Sequence, residues 1–88
     1  MKLKYDFDIL SLGDEIIAVP IGNATQNFHG VVKMNNSANF IFQMLKDNQT
    51  QESILEALKE NYDTPVPQLK EYVIDFIEEL KKQNLLAE

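Results

Sequence analysis

Eighty-eight residues, 44% of them hydrophobic, suffice for one folded domain over 1–88 with a modest core and are too few for a deep enclosed pocket. The net charge is −6 and all eight basic residues are lysine, which argues against nucleic acid or an anionic membrane surface as partner. With no cysteine, the chain has no disulfide, no thiolate metal site and no cysteine nucleophile.

The opening MKLKYDFDIL sets Leu3, Tyr5, Phe7 and Ile9 on one face and Lys2, Lys4, Asp6 and Asp8 on the other, the period of a half-buried strand. It lacks the continuous apolar core of a secretion signal, and no later run is long enough to cross a bilayer, so a cytoplasmic protein is expected. A turn follows at LGDE, where Gly13 can take a positive φ. The second strand, Ile16 to Ile21, should end or lie at an edge near Pro20, which has no N–H for a ladder. GNATQN then reads as a polar hairpin loop. The third strand is expected over FHGVVKMN, with Phe28, Gly30, Val32 and Met34 on one face and His29, Val31 and Lys33 on the other. Gly30, without a side chain, would let a neighbouring backbone or helix approach closely.

Beyond Asn35 the period changes. Ala38, Ile41, Phe42 and Leu45 are spaced for an amphipathic helix, with Asn35 or Asn36 as its cap. Thr50 should cap a second helix, with Glu52 in its first turn and Ile54, Leu55, Leu58 and Tyr62 inward. DTPVP breaks that helix and leads into a third, whose core stripe is Leu69, Val73, Phe76, Ile77 and Leu80, and LLAE reads as a tail. The order β-β-β-α-α-α predicts an α+β fold: a three-stranded antiparallel sheet followed by three helices, winged helix-turn-helix-like.

Little here suggests catalysis. His29 is the single imidazole, no histidine–carboxylate spacing suits a metal, and no glycine-rich phosphate loop is present, so no cofactor, metal or catalytic residue is expected. Asp75, Glu78 and Glu79 lie beside Lys81 and Lys82, as on a solvated helix face. A winged-helix DNA reader would place the third helix in the major groove, where Glu71, Asp75, Glu78 and Glu79 would meet phosphates.

Four runs in order, IIAVPIG, FHGVVKMNNSANFIFQML, TQESILEALKENYD and LKEYVIDFIEELKKQNLL, resemble the PqqD family, the small peptide chaperones of ribosomal peptide modification also called RiPP recognition elements. The strand-to-helix joint carries most of the likeness: Asn35, then Ala38, Phe40, Ile41 and Phe42. The closing pattern Val73, Phe76, Leu80, Leu85 carries the rest. There are departures. Phe42 stands where tryptophan is frequent. Ser53, rather than a glutamate, follows Thr50 at the reciprocal cap position, which should weaken that cap. Tyr72 replaces a frequent aspartate just before the valine of the third helix.

The resemblance implies a non-catalytic binder. A precursor's leader peptide would add as an extended strand to the edge of the third strand and lie in the groove between it and the third helix. A modifying enzyme, often a radical S-adenosylmethionine enzyme, would then act on the tethered peptide. On this chain the implied binding residues are His29, Gly30, Val31, Val32, Lys33 and Met34 on the strand. On the helix they are Tyr72, Asp75, Phe76 and Glu79, which share a face. Tyr72 and Phe76 would hold apolar side chains, while Asp75 and Glu79 would select a basic one. Lys33 would guard the open edge against aggregation, leaving a monomer or a weak edge-paired dimer. Two other readings share the architecture: a winged-helix DNA-binding regulator, and a structural subunit using the same sheet edge.

Overall fold

The computed structural model describes residues 1–22, 24–28 and 30–87. The chain forms β1 (Lys2–Leu3), β2 (Phe7–Leu12), β3 (Glu15–Pro20), α1 (Ala24–Asn27), β4 (Val32–Met34), α2 (Asn36–Met44), α3 (Gln51–Asn61), α4 (Val66–Lys82) and β5 (Leu86–Ala87). The expected sheet is antiparallel with order β2-β3-β4, and α2, α3 and α4 follow it.

The first strand is shorter than its alternation suggests. Lys4 and Tyr5 bend away, and the piece before them pairs elsewhere. The Leu3 N–H donates to the Leu45 carbonyl at the end of α2, and the Lys4 N–H donates to the Leu85 carbonyl. The expected inward side is kept, with Leu3 and Phe7 buried and Tyr5 and Ile9 half-buried. A two-residue turn at Gly13 (φ 65°) and Asp14 then folds β3 back onto β2, pairing Leu12 with Glu15 and Phe7 with Pro20.

The expected third strand is cut down to Val32–Met34, paired with Ala18, Ile17 and Ile16. Pro20, with no N–H to donate, closes β3 as expected. The polar loop joins two antiparallel strands as expected but also holds a helical turn, α1, and the Thr25 hydroxyl donates to the Gly22 carbonyl at 2.8 Å. Phe28 turns its ring edge-on to Phe7, centroids 6.2 Å apart, and Phe7 meets Phe42 at 5.2 Å. His29 lies outside the described residues. Gly30 lacks the expected steric purpose: a Cβ there would touch only the Phe28 ring, at 3.6 Å, an ordinary contact.

The helix ends follow from local chemistry. Asn35, of the two candidate asparagines, caps α2, its Oδ1 accepting the Ala38 N–H at 2.8 Å. Thr50 caps α3, and the serine that was expected to weaken the reciprocal bond makes it. The Thr50 N–H donates to Ser53 Oγ and the Ser53 N–H to Thr50 Oγ1, both at 3.0 Å. Pro65 and Pro67 sit at the start of α4, where a missing N–H costs nothing.

LLAE is not a tail. Gln83 ends α4, Asn84 takes the left-handed conformation (φ 60°), and the Asn84 and Leu85 N–H groups donate to Lys81 and Leu80 carbonyls, a Schellman closure. Leu85 and Leu86 are thereby buried, and β5 pairs antiparallel with β1. The core joins the inner face of the sheet (Phe7, Ile16, Ala18, Val32, Met34) to Ile41, Phe42 and Leu45 of the α2 segment, Ile54 and Leu58 of α3, and Leu69, Val73, Ile77 and Leu80 of α4. Among the described residues no helix is long and apolar enough to cross a membrane.

Candidate functional site

The site follows from what the sheet leaves unpaired. Among the described residues β4 has β3 on one side and no strand on the other, so its outer row of backbone N–H and C=O groups has no ladder partner there. Its side chains alternate: Val32 and Met34 are buried in the core, while Lys33 and the preceding Val31 are exposed. Alongside runs α4. Its deepest stripe, Leu69, Val73, Ile77 and Leu80, is buried, and the flank next to that stripe carries Tyr72, Phe76, Glu79 and Gln83, one turn apart each.

Between strand and helix lies a groove of about 300 Å³. Val31, Val32, Lys33 and Met34 form one wall, Tyr72, Phe76, Glu79, Leu80 and Gln83 the other, with Asn35 and Ala38 closing the joint. Ala38, a small buried residue on α2, leaves space where a larger side chain would fill the floor. Phe76 and Tyr72 are half-buried, so each presents part of its ring to the groove. Lys33 and Glu79 place opposite charges on opposite walls.

Tyr72 is tied to the joint. Its hydroxyl donates to Asn35 Oδ1 at 2.9 Å, the oxygen that also caps α2. Burial pushes the Tyr72 phenol above its ordinary value of 10.0, the Asn35 bond opposes that rise, and Tyr62 adds slightly to it, so the phenol is protonated at neutral pH. On its far side Tyr72 also walls a second hollow of about 230 Å³, with Leu58, Tyr62 and Leu69. It is the partition between the two.

A larger hollow of about 750 Å³ opens beneath β1 among Lys2, Lys4, Lys46 and Asp6. Lys4 there is already bonded to Asn84 Oδ1 at 2.8 Å. The groove at β4 is smaller but combines an open strand edge with apolar walls, and that combination suits an extended peptide. Among the described residues no group of three or more histidine, cysteine or carboxylate side chains is placed to hold a metal.

Of the residues singled out from the sequence, Val31, Val32, Lys33, Met34, Tyr72, Phe76 and Glu79 line this groove. Gly30 and Asp75 are exposed and do not line it, and His29 is outside the described residues. Leu80, Gln83, Ala38 and the second role of Asn35 were missed. Gln83 was within reach, since it extends the spacing of Tyr72, Phe76 and Glu79 by one more turn.

Comparison with known proteins comes to the same architecture. A family model, coenzyme PQQ synthesis protein D (PqqD), matches residues 15–86. No curated protein matches the chain. Among solved structures, one described as TbiB1 in complex with the TbiA(beta) leader peptide superposes with a TM-score of 0.72 over 100% of both chains at 18% identity, a likeness of fold.

Proposed function

The chain belongs to the PqqD family, and from that premise we propose that it is a non-catalytic chaperone for the leader of a ribosomally made precursor peptide. The leader adds as a strand to β4 and lies in the groove against α4. The protein presents the tethered peptide to a modifying enzyme, a radical S-adenosylmethionine enzyme. The observation that carries this reading is the unpaired edge of β4 facing a half-exposed aromatic flank, Tyr72 and Phe76. Main-chain bonds along such an edge give affinity without regard to sequence, and the pockets beside it select alternate side chains. The leader peptide held by the structurally similar TbiB1 supports the reading. Presentation works by tethering: a bound leader raises the local concentration of the peptide at the enzyme with no new chemistry from the carrier.

Exposed Glu71, Asp75, Glu78 and Glu79 on α4 count against DNA as the ligand of this surface. The test is fluorescence anisotropy with labelled synthetic leader peptides of short precursors sought in the neighbourhood of this chain's gene. Saturable binding that a scrambled leader does not reproduce is expected. Equal binding of native and scrambled peptides, or none, overturns the proposal.

A further inference from the structure

The flank of α4 that faces the groove does not stop at Tyr72. Gln83, Glu79, Phe76 and Tyr72 are three or four residues apart, and the same spacing continues to Gln68, with Leu69 beside it. Gln68 and Leu69 line the second hollow, and Tyr72 walls both hollows. The two are therefore successive stretches of one helix flank, with Tyr72 between them. They meet at the joint end of the groove, where the Tyr72 hydroxyl is bonded to Asn35.

The second hollow has a chemistry of its own. Its apolar lining is Leu58 and Leu69, both buried, with the half-buried rings of Tyr62 and Tyr72. Both rings are anchored: Tyr62 meets Phe40 edge-on, centroids 5.9 Å apart, and Tyr72 is held by Asn35. Ser37, Thr64 and Gln68 add polar groups, the last two at exposed positions. A volume of about 230 Å³ falls below the roughly 300 Å³ at which pockets for whole small ligands begin, so the hollow suits one side chain. Anchored aromatic walls favour another ring, packed offset or edge-on against them.

We propose that this hollow is a second binding site, taking one aromatic side chain, and that the leader supplies it from just beyond the joint end of the groove. The proposal deepens, and rests on, the reading of the groove as the leader's site. β4 ends at Met34 and the chain turns into α2, so a leader running past the joint leaves the ladder and continues along α4 alone. From Gln83 to Tyr72 the helix flank is about 16 Å long, the length of about five extended residues. Gln68 lies one turn further, about 5 Å, or about two extended residues. The aromatic side chain therefore belongs about two residues beyond the segment that the groove holds.

The hollow can be tested apart from the leader. p-Cresol, a tyrosine side chain without its backbone, is titrated to about 10 mM against isotope-labelled protein, the range for so small a ligand. It should shift the amides of Leu58, Tyr62, Gln68 and Leu69 saturably and leave Val31–Met34 unmoved. Ser37→Phe, or Thr64→Phe if the first does not fold, plugs the hollow from residues that do not line the groove, and should abolish those shifts. A leader that protects Val31–Met34 from amide exchange should bind the plugged variant about tenfold more weakly, with that protection intact at saturation. Shortening the leader by its residues beyond Tyr72 should remove the difference. Shifts from p-cresol that are absent, or lie on another surface, overturn the hollow as a site whatever the groove binds. p-Cresol in the hollow, with full leader affinity in the plugged variant, overturns the leader as its occupant. p-Cresol in the hollow, with no leader protecting β4, overturns the groove reading and this proposal with it.

Discussion

The Tyr72 hydroxyl and the Ala38 backbone N–H converge on one atom, Oδ1 of Asn35, at 2.9 and 2.8 Å. That oxygen ties the wall of the groove to the first turn of α2. Asn35 ends the sheet's third strand, starts the helices and orients the aromatic ring that divides the two hollows. The cap and the groove wall therefore share a residue.

Removing Asn35 should be felt in both. Asn35→Ala loses the cap and leaves the Tyr72 hydroxyl without its partner, for a stability loss of about 1–2 kcal/mol. Asn35→Asp keeps the acceptor and adds a negative charge at a helix N-terminus, so it should come within about 0.5 kcal/mol of the parent. Urea unfolding of the two variants checks this.

Tyr72 separates binding from stability. Tyr72→Ala should weaken leader binding about tenfold or more, as for an aromatic anchor, while lowering stability by about 1–2 kcal/mol. Tyr72→Phe keeps the ring and should hold most of the affinity. Calorimetric titration beside chemical denaturation gives both numbers, and matched free-energy losses for Tyr72→Ala would make Tyr72 only a core residue.

The same phenol predicts a pH signature. Its folded-state value lies above the ordinary 10.0 because burial disfavours the phenolate. Its contribution to stability is therefore complete below pH 10.0 and is lost as pH rises through the higher folded value. Stability of the parent minus that of Tyr72→Phe should be flat from neutral pH to about 9.5 and fall above 10.

Glu79 faces Lys33 across the groove mouth. For a leader with lysine or arginine at the adjoining position, Glu79→Gln should weaken binding roughly two- to five-fold, since an exposed pair contributes little. The loss should shrink in high salt. Asp75→Gln, outside the groove lining, should change affinity less.

How much of this was readable beforehand differs by element. The helices were legible because a 3.6-residue stripe runs through each: Leu69, Val73, Ile77 and Leu80 are all buried. The two stretches that misled did so for tertiary reasons. Alternation from Leu3 to Ile9 was genuine, yet Leu3 and Lys4 give their N–H groups to the carbonyls of Leu45 and Leu85, some forty and eighty residues away, and no local pattern encodes that. Phe28 alternates with Val32 and Met34 but is drawn to Phe7 instead of extending the ladder. The closing segment, by contrast, carries a local signal: an asparagine after the last periodic residue, followed by leucines, is the signature of a Schellman end. Asn84→Gly should accordingly be tolerated, Asn84→Ala should cost about 1 kcal/mol, and Leu85→Ala about 2–5 kcal/mol, as for a buried leucine. Of the groove, the helix wall was legible from spacing, whereas Ala38 and Asn35 joined it only through the path of the chain.

The central claim is that a leader becomes a strand of this sheet. Amide hydrogen exchange at Val31–Met34, with and without saturating leader, tests it most directly. Strand addition predicts strong slowing at those β4 amides that point into the groove, with no comparable slowing along the β2 edge. Binding that leaves β4 exchange unchanged, with protection confined to α4 or to another surface, would contradict it.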